Sequence, residues 1–173
     1  MTPNEIYSLY SPLKQRLILL SCSLIAILTP FSDTIYLPAL ETIESKLHTS
    51  AQYVSLSVSL YLGFVGLGQL LSGPLGDKYG RWPVLVIFLL FFEGLTISCI
   101  FAENILALIV ERCLQGFMIG PAVSLVQAII SDVFAPEVRG VAIGAFLGPM
   151  LFGPIFAPLL GGILNSNFGW RYN

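Results

Sequence analysis

The chain has 173 residues, 55% of them hydrophobic and only 10% charged, with a mean hydropathy of +0.84. A soluble domain of this length would carry about 25% charge, roughly 43 residues, against the 18 present (8 Lys+Arg, 10 Asp+Glu). These numbers argue against a soluble globular fold and against disorder, and a net charge of −2 leaves no electrostatic footprint for nucleic acid. Cys22, Cys99 and Cys113 sit in apolar runs and make no disulfide or metal framework. The single histidine excludes a His-rich metal site, and no cofactor is expected. An integral membrane protein remains, with the lipid bilayer as its first partner.

A transmembrane helix needs about 20 mostly apolar residues. Five runs qualify, at about 17–37, 51–75, 82–102, 105–130 and 141–164. Residues 1–16 read as a short tail ahead of span 1. The connections are short and polar: Glu41–Ser50, Gly76–Arg81, Glu103–Asn104 and Ser131–Arg139. The runs are too long, and alternate too little, for a β-barrel. Span 1 is longer than a signal-peptide apolar region and lacks a clear cleavage site, so it is expected to be retained. Lys14, Arg16, Lys78, Arg81 and Arg139 fall on one side, and Lys46 and Arg171 on the other. That bias predicts a cytoplasmic N-terminus.

Gly73-Pro74-Leu75-Gly76-Asp77-Lys78-Tyr79-Gly80-Arg81-Trp82, between spans 2 and 3, must reverse two long helices in few residues. Glycines permit the turn. Asp77 and Arg81, bracketed by Gly73 and Gly80, are more than a turn requires. The stretch resembles the signature of the major facilitator superfamily, Gly-x-Leu-small-Asp-Arg/Lys-x-Gly-Arg-basic. Gly73, Leu75, Gly76, Asp77, Lys78, Gly80 and Arg81 match it, and Trp82 departs where a second basic residue is usual. The resemblance implies an Asp77 that faces a helix N-terminus of the other half. It implies an Arg81 paired with an acidic residue at the inner end of span 4, for which Asp132 is the candidate. That pair would latch the outward-open state.

Ionisable side chains inside spans are functional suspects by default. Asp33, Glu93, Glu111 and Arg112 are the candidates. At about 1.5 Å per residue, Arg112 lies about 12 Å and Glu93 about 15 Å below the outer boundary, with Asp33 roughly 6–8 Å down. A structural ion pair of Glu93 or Glu111 with Arg112 competes with a site that handles protons or substrate. Glu111 and its neighbour Arg112 point about 100° apart. Arg112-Cys113-Leu114-Gln115-Gly116 resembles the Arg-x-x-Gln-Gly signature of proton-coupled facilitators. The segment around Asp33 resembles the acidic helix 1 segment of the drug:proton antiporter branch. The resemblance implies Asp33 and Arg112 as the coupled pair; Glu93 remains a further transport candidate as a charge inside a span.

Span 5 is rich in glycine and proline, which bilayer helices tolerate better than soluble ones. A kinked packing helix is the plain reading. Its spacing also resembles the antiporter signature, with Gly144, Gly153, Pro158, Gly161 and Gly162 in register and Ala157 in place of a glycine. The resemblance implies the twelve-span drug:proton antiporter branch, of the type common in fungi, in a plasma or vacuolar membrane. Small organic substrates and protons are the implied partners of the complete protein.

The expected fold is therefore an all-α membrane protein: five transmembrane helices forming an incomplete N-terminal half of the major facilitator fold. The motifs describe more than the chain contains, which favours an N-terminal fragment over a five-span protein that pairs with a full-length relative. A sugar or small-solute porter is the alternative within the superfamily. An enzyme is disfavoured, because no zinc-binding His pair or serine-base arrangement is present.

Overall fold

Each apolar run folds as helix, and the breaks fall where backbone chemistry allows them. The computed structural model describes residues 11–172. Residues 1–10, most of the expected tail, lie outside the described residues. Helix α1 spans Pro12–Ile35. Ser11 caps it by accepting the Lys14 amide, and Pro12 supplies the preset φ of a first turn. The end of the expected tail is thus already helical.

The expected polar loop at Glu41–Ser50 is mostly helix as well. A 3₁₀ turn at Leu37–Ala39 leads into helix α2, Leu40–Lys46. Ile43 is buried, and Glu41 in the first turn and Lys46 in the last complement the helix dipole. Glu44 Oε1 then accepts the Ala51 amide at 3.0 Å, closing the turn into α3.

Helices α3 (Ala51–Tyr79) and α4 (Arg81–Cys99) are separated by Gly80 alone, at φ +89°. The sequence suggested a longer connection from Gly76 to Arg81. Instead Gly76, Asp77 and Lys78 complete the last turn of α3. Only a residue without a Cβ takes that φ without strain. Helix α5 (Ile105–Val133) begins at Asn104, whose Oδ1 accepts the Ala107 amide at 2.9 Å.

The fifth run is two helices, α6 (Pro136–Met150) and α7 (Phe152–Asn167), broken at Leu151. Pro154 has no N–H to offer the Met150 carbonyl, so the helical ladder stops there. Gly169, at φ +94°, turns the chain into a 3₁₀ turn at Trp170–Tyr172.

Among the described residues, five elements are long and apolar enough to cross a membrane: Pro12–Lys46, Ala51–Tyr79, Arg81–Cys99, Ile105–Val133 and Pro136–Asn167. Helix α5 is the hub, with 61% of its apolar window buried against 17–22% for the others. It packs on α3, α4 and α1, while α1 packs on α6 and α7. Close backbone approach makes these contacts. A Cβ on Gly116 or Gly120 of α5 would strike the Tyr61 or Val65 carbonyl of α3, and one on Gly161 of α7 would strike the Ile35 carbonyl of α1. Small residues at such crossings let bilayer helices pack without a hydrophobic driving force. The outward faces expose Leu70, Leu90, Phe91 and Val141, as suits contact with lipid.

Candidate functional site

The α5 hub carries the deepest charge. Arg112 is 5% exposed. Its guanidinium lies over two aromatic faces, 4.5 Å from the Tyr36 ring centroid and 4.2 Å from that of Tyr61. Cation–π contacts of this kind strengthen when desolvated, to about 2 kcal/mol. The packing of Gly116 on the Tyr61 backbone brings that ring within reach. Arg112 Nη1 donates to Gln115 Oε1 (2.7 Å), and Gln115 Nε2 donates to Thr96 Oγ1 on α4 (2.7 Å). Tyr36 shares a hydrogen bond with Ser57 of α3 at 3.3 Å. The site therefore joins the first four spans.

Asp33 on α1 is half-buried and interacts electrostatically with both Arg112 and the Tyr61 hydroxyl. Among the described residues it makes no ion pair within 4.0 Å, and neither its buried Oδ1 nor the Tyr61 hydroxyl has a hydrogen-bond partner. Tyr61 interacts with both charges instead, through its ring with Arg112 and electrostatically with Asp33. Arg112 Nε and Nη2 are likewise buried and unpartnered.

The other suspected acids are elsewhere. Glu93 is exposed on α4 and makes no salt bridge with Arg112. Position along a helix does not fix the face a side chain takes. Glu111 is half-buried, accepts from Ser98 Oγ at 2.9 Å and makes no salt bridge with Arg112 either. The structural ion pair considered for Arg112 is therefore absent among the described residues.

At the opposite end of the bundle, Arg81 reaches across from the start of α4 to the end of α5. Its Nη1 meets Asp132 Oδ2 at 2.6 Å and also donates to the Ala128 carbonyl. Its Nη2 lies 3.8 Å from Asp77 Oδ1, one turn back across the Gly80 corner. Asp132 and Asp77 are both exposed, as is Gly73. An ion pair so open to solvent contributes about 0–1 kcal/mol.

The glycines and proline of the fifth run divide by face. Gly153 and Gly161 are buried on α1, against Pro30 and Ile35. Pro158 is half-buried. A Cβ on Gly144 or Gly162 would meet nothing within 4 Å.

Sequence reasoning did not single out Tyr61, Tyr36 or Thr96, and it named Gln115 only within the Arg-x-x-Gln-Gly signature. The spacing of Arg112 and Gln115, three apart on one helix face, was available as a signal. Nothing in the sequence signals Tyr61, because its role depends on which helices touch.

A bundle of five membrane-spanning helices, with a glycine corner carrying an ion pair at one end and a clamped arginine at depth, defines a class of membrane transport proteins. The profile of the Major Facilitator Superfamily matches residues 22–173, and the chain belongs to that family. It is 32% identical over 99% of its length to the MFS-type transporter phiD of a fungal species, covering 26% of that protein. It is 31% identical over 95% of its length to the multidrug transporter QDR2 of Candida glabrata, covering 28%. It is 36% identical over 82% of its length to the MFS antiporter QDR3 of Candida albicans, covering 20%. The chain thus spans between a fifth and a third of the relatives it matches.

Proposed function

We propose that this chain supplies helices 1–5 of a proton-coupled exporter of drugs or other small organic molecules. The carrying observation is the pairing of a buried, aromatic-clamped Arg112 with a half-buried Asp33 that makes no salt bridge. An unpaired charge in a bilayer bundle is retained at considerable cost, and proton handling is a use that repays it. In this reading Asp33 takes and releases the proton. Arg112 is the buried cation with which that carboxyl interacts. Tyr61 holds the two in register. The names of the relatives, multidrug transporter and antiporter, point the same way.

In the same proposal, Arg81 and Asp132 form a latch that gains strength when the second half of the transporter shields them from water. Asp77 and Gly73 face that half. Gly144 and Gly162 lie on the open side of the fifth span, where the second half or substrate would approach. Lys14, Arg16, Lys78, Arg81 and Arg139 lie on the cytoplasmic side of a plasma or vacuolar membrane.

The test is transport by the full-length protein in inside-out vesicles. An imposed proton gradient should drive uptake of a fluorescent organic cation, and a protonophore should abolish it. Uptake insensitive to the protonophore would overturn proton coupling.

A further inference from the structure

The most deeply buried charge of the bundle has no carboxylate to hold it. Arg112 is buried and, among the described residues, makes no salt bridge. Gln115 matches its Nη1, but Nε and Nη2 are buried without a hydrogen-bond partner. Glu111 accepts from Ser98, and Asp33 stays beyond ion-pair distance. One neutral hydrogen bond is little to offset the burial of a charge. What else meets the guanidinium is aromatic: the rings of Tyr36 and Tyr61, on which it lies.

Both rings are themselves fixed. Tyr36 is buried at the end of α1, shares its hydrogen bond with Ser57, and belongs to a cluster with Ala39, Val54 and Leu108. Tyr61 is 1% exposed in the middle of α3, and Gly116, one turn from Arg112 on α5, sits against its backbone. Two elements thus bring their rings to a cation on a third. A ring face attracts a cation through its quadrupole, with no proton of its own at stake. That attraction does not change when a nearby carboxyl gains or loses a proton, whereas an ion pair would be lost.

We propose that Tyr36 and Tyr61 are the positioning residues of Arg112, a two-ring cage for a guanidinium that keeps the charge seated whether Asp33 is ionised or neutral. This seat is an equilibrium property and does not depend on the exporter reading. Within that reading, it lets Asp33 exchange a proton without setting Arg112 loose.

Melting temperatures of the full-length protein in detergent test the cage without any transport. Asp33→Asn should move the melting temperature by less than about 2 °C. Tyr36→Leu should lower it several times as much, and Tyr36→Phe, which keeps the ring, should retain most of the stability. The loss from Tyr36→Leu should shrink in an Arg112→Ala background, because a ring that only fills space costs the same with or without the cation. Arg112→Ala also empties the cage. Methylguanidinium should then raise the melting temperature along a saturating curve, beyond the effect of sodium at equal ionic strength, and adding Tyr36→Leu should weaken its binding about tenfold. Should Arg112→Ala not fold, the Asp33→Asn and Tyr36 comparisons decide alone. A loss from Asp33→Asn as large as that from Tyr36→Leu would mean that the carboxylate seats Arg112, and would overturn the proposal. Equal losses from Tyr36→Leu with and without Arg112→Ala would overturn it too.

Discussion

Arg112 and Asp33 make no direct salt bridge but share Tyr61: the guanidinium rests 4.2 Å from the Tyr61 ring centroid, and the carboxylate interacts electrostatically with the same residue without a hydrogen bond. The two contacts use different parts of one side chain, so substitutions can separate them. Tyr61→Phe keeps the ring beneath Arg112 and removes the hydroxyl. It should leave thermal stability within about 0.5 kcal/mol while altering the pH dependence of transport. Tyr61→Leu removes both contacts and a buried aromatic, and should cost about 2–4 kcal/mol. Thermal unfolding in detergent, paired with transport at several pH values, checks both.

Gly161 and Gly162 are neighbours with opposite surroundings. A Cβ at Gly161 would strike the Ile35 backbone, whereas one at Gly162 would meet nothing within 4 Å. Gly161→Ala should force α7 off α1 and lower stability by about 1–3 kcal/mol. Gly162→Ala should leave the fold intact, or stabilise it slightly by removing a helical glycine. If Gly162→Ala nevertheless abolishes transport, its glycine serves the interface with the second half. Melting curves and surface expression of the two variants separate these roles.

Gly80 carries the reversal between α3 and α4 at φ +89°, ψ 142°. That region is open essentially to glycine alone, and other residues pay about 1–3 kcal/mol to enter it. Gly80→Ala should lower the melting temperature. It should also loosen Arg81 from Asp132, because the corner fixes where α4 begins. Crosslinking of a cysteine pair placed at 81 and 132 should fall in the Gly80→Ala background.

The Arg81–Asp132 pair is 2.6 Å long, but the side chains are 28% and 58% exposed. A double-mutant cycle with Arg81→Gln and Asp132→Asn should give a coupling energy below about 1 kcal/mol in this chain alone. In a full-length transporter locked with its cytoplasmic side closed, the coupling should be larger. Equal coupling in both would remove the latch proposal.

Hydropathy was enough to find the five spans, because each is a long apolar run bounded by charges or Gly and Pro. It could not show that Leu40–Lys46 is helix, since that segment is largely polar and is held by burial of Ile43 with Leu40 half-buried against the same cluster. Nor did it show the break at Leu151, where the effect of Pro154 competes with the tolerance of bilayer helices for proline. Asp132 was reachable from its position at a helix end. The aromatic setting of Arg112 was not, because α4 and α5 carry apolar residues on every face between their few polar ones. Their periodicity gives no face, so neither the exposure of Glu93 nor the approach of Tyr61 could be read from spacing.

The most direct measurement is substrate-driven proton movement by the full-length protein with Asp33 changed to Asn. Reconstituted in vesicles with a pH dye inside, the unmodified protein should move protons when substrate is added. Asp33→Asn should reach the same folded level and bind substrate, yet move no protons. Proton movement unchanged by Asp33→Asn would contradict the role assigned to Asp33, and with it the reading of Arg112 and Tyr61 as its partners.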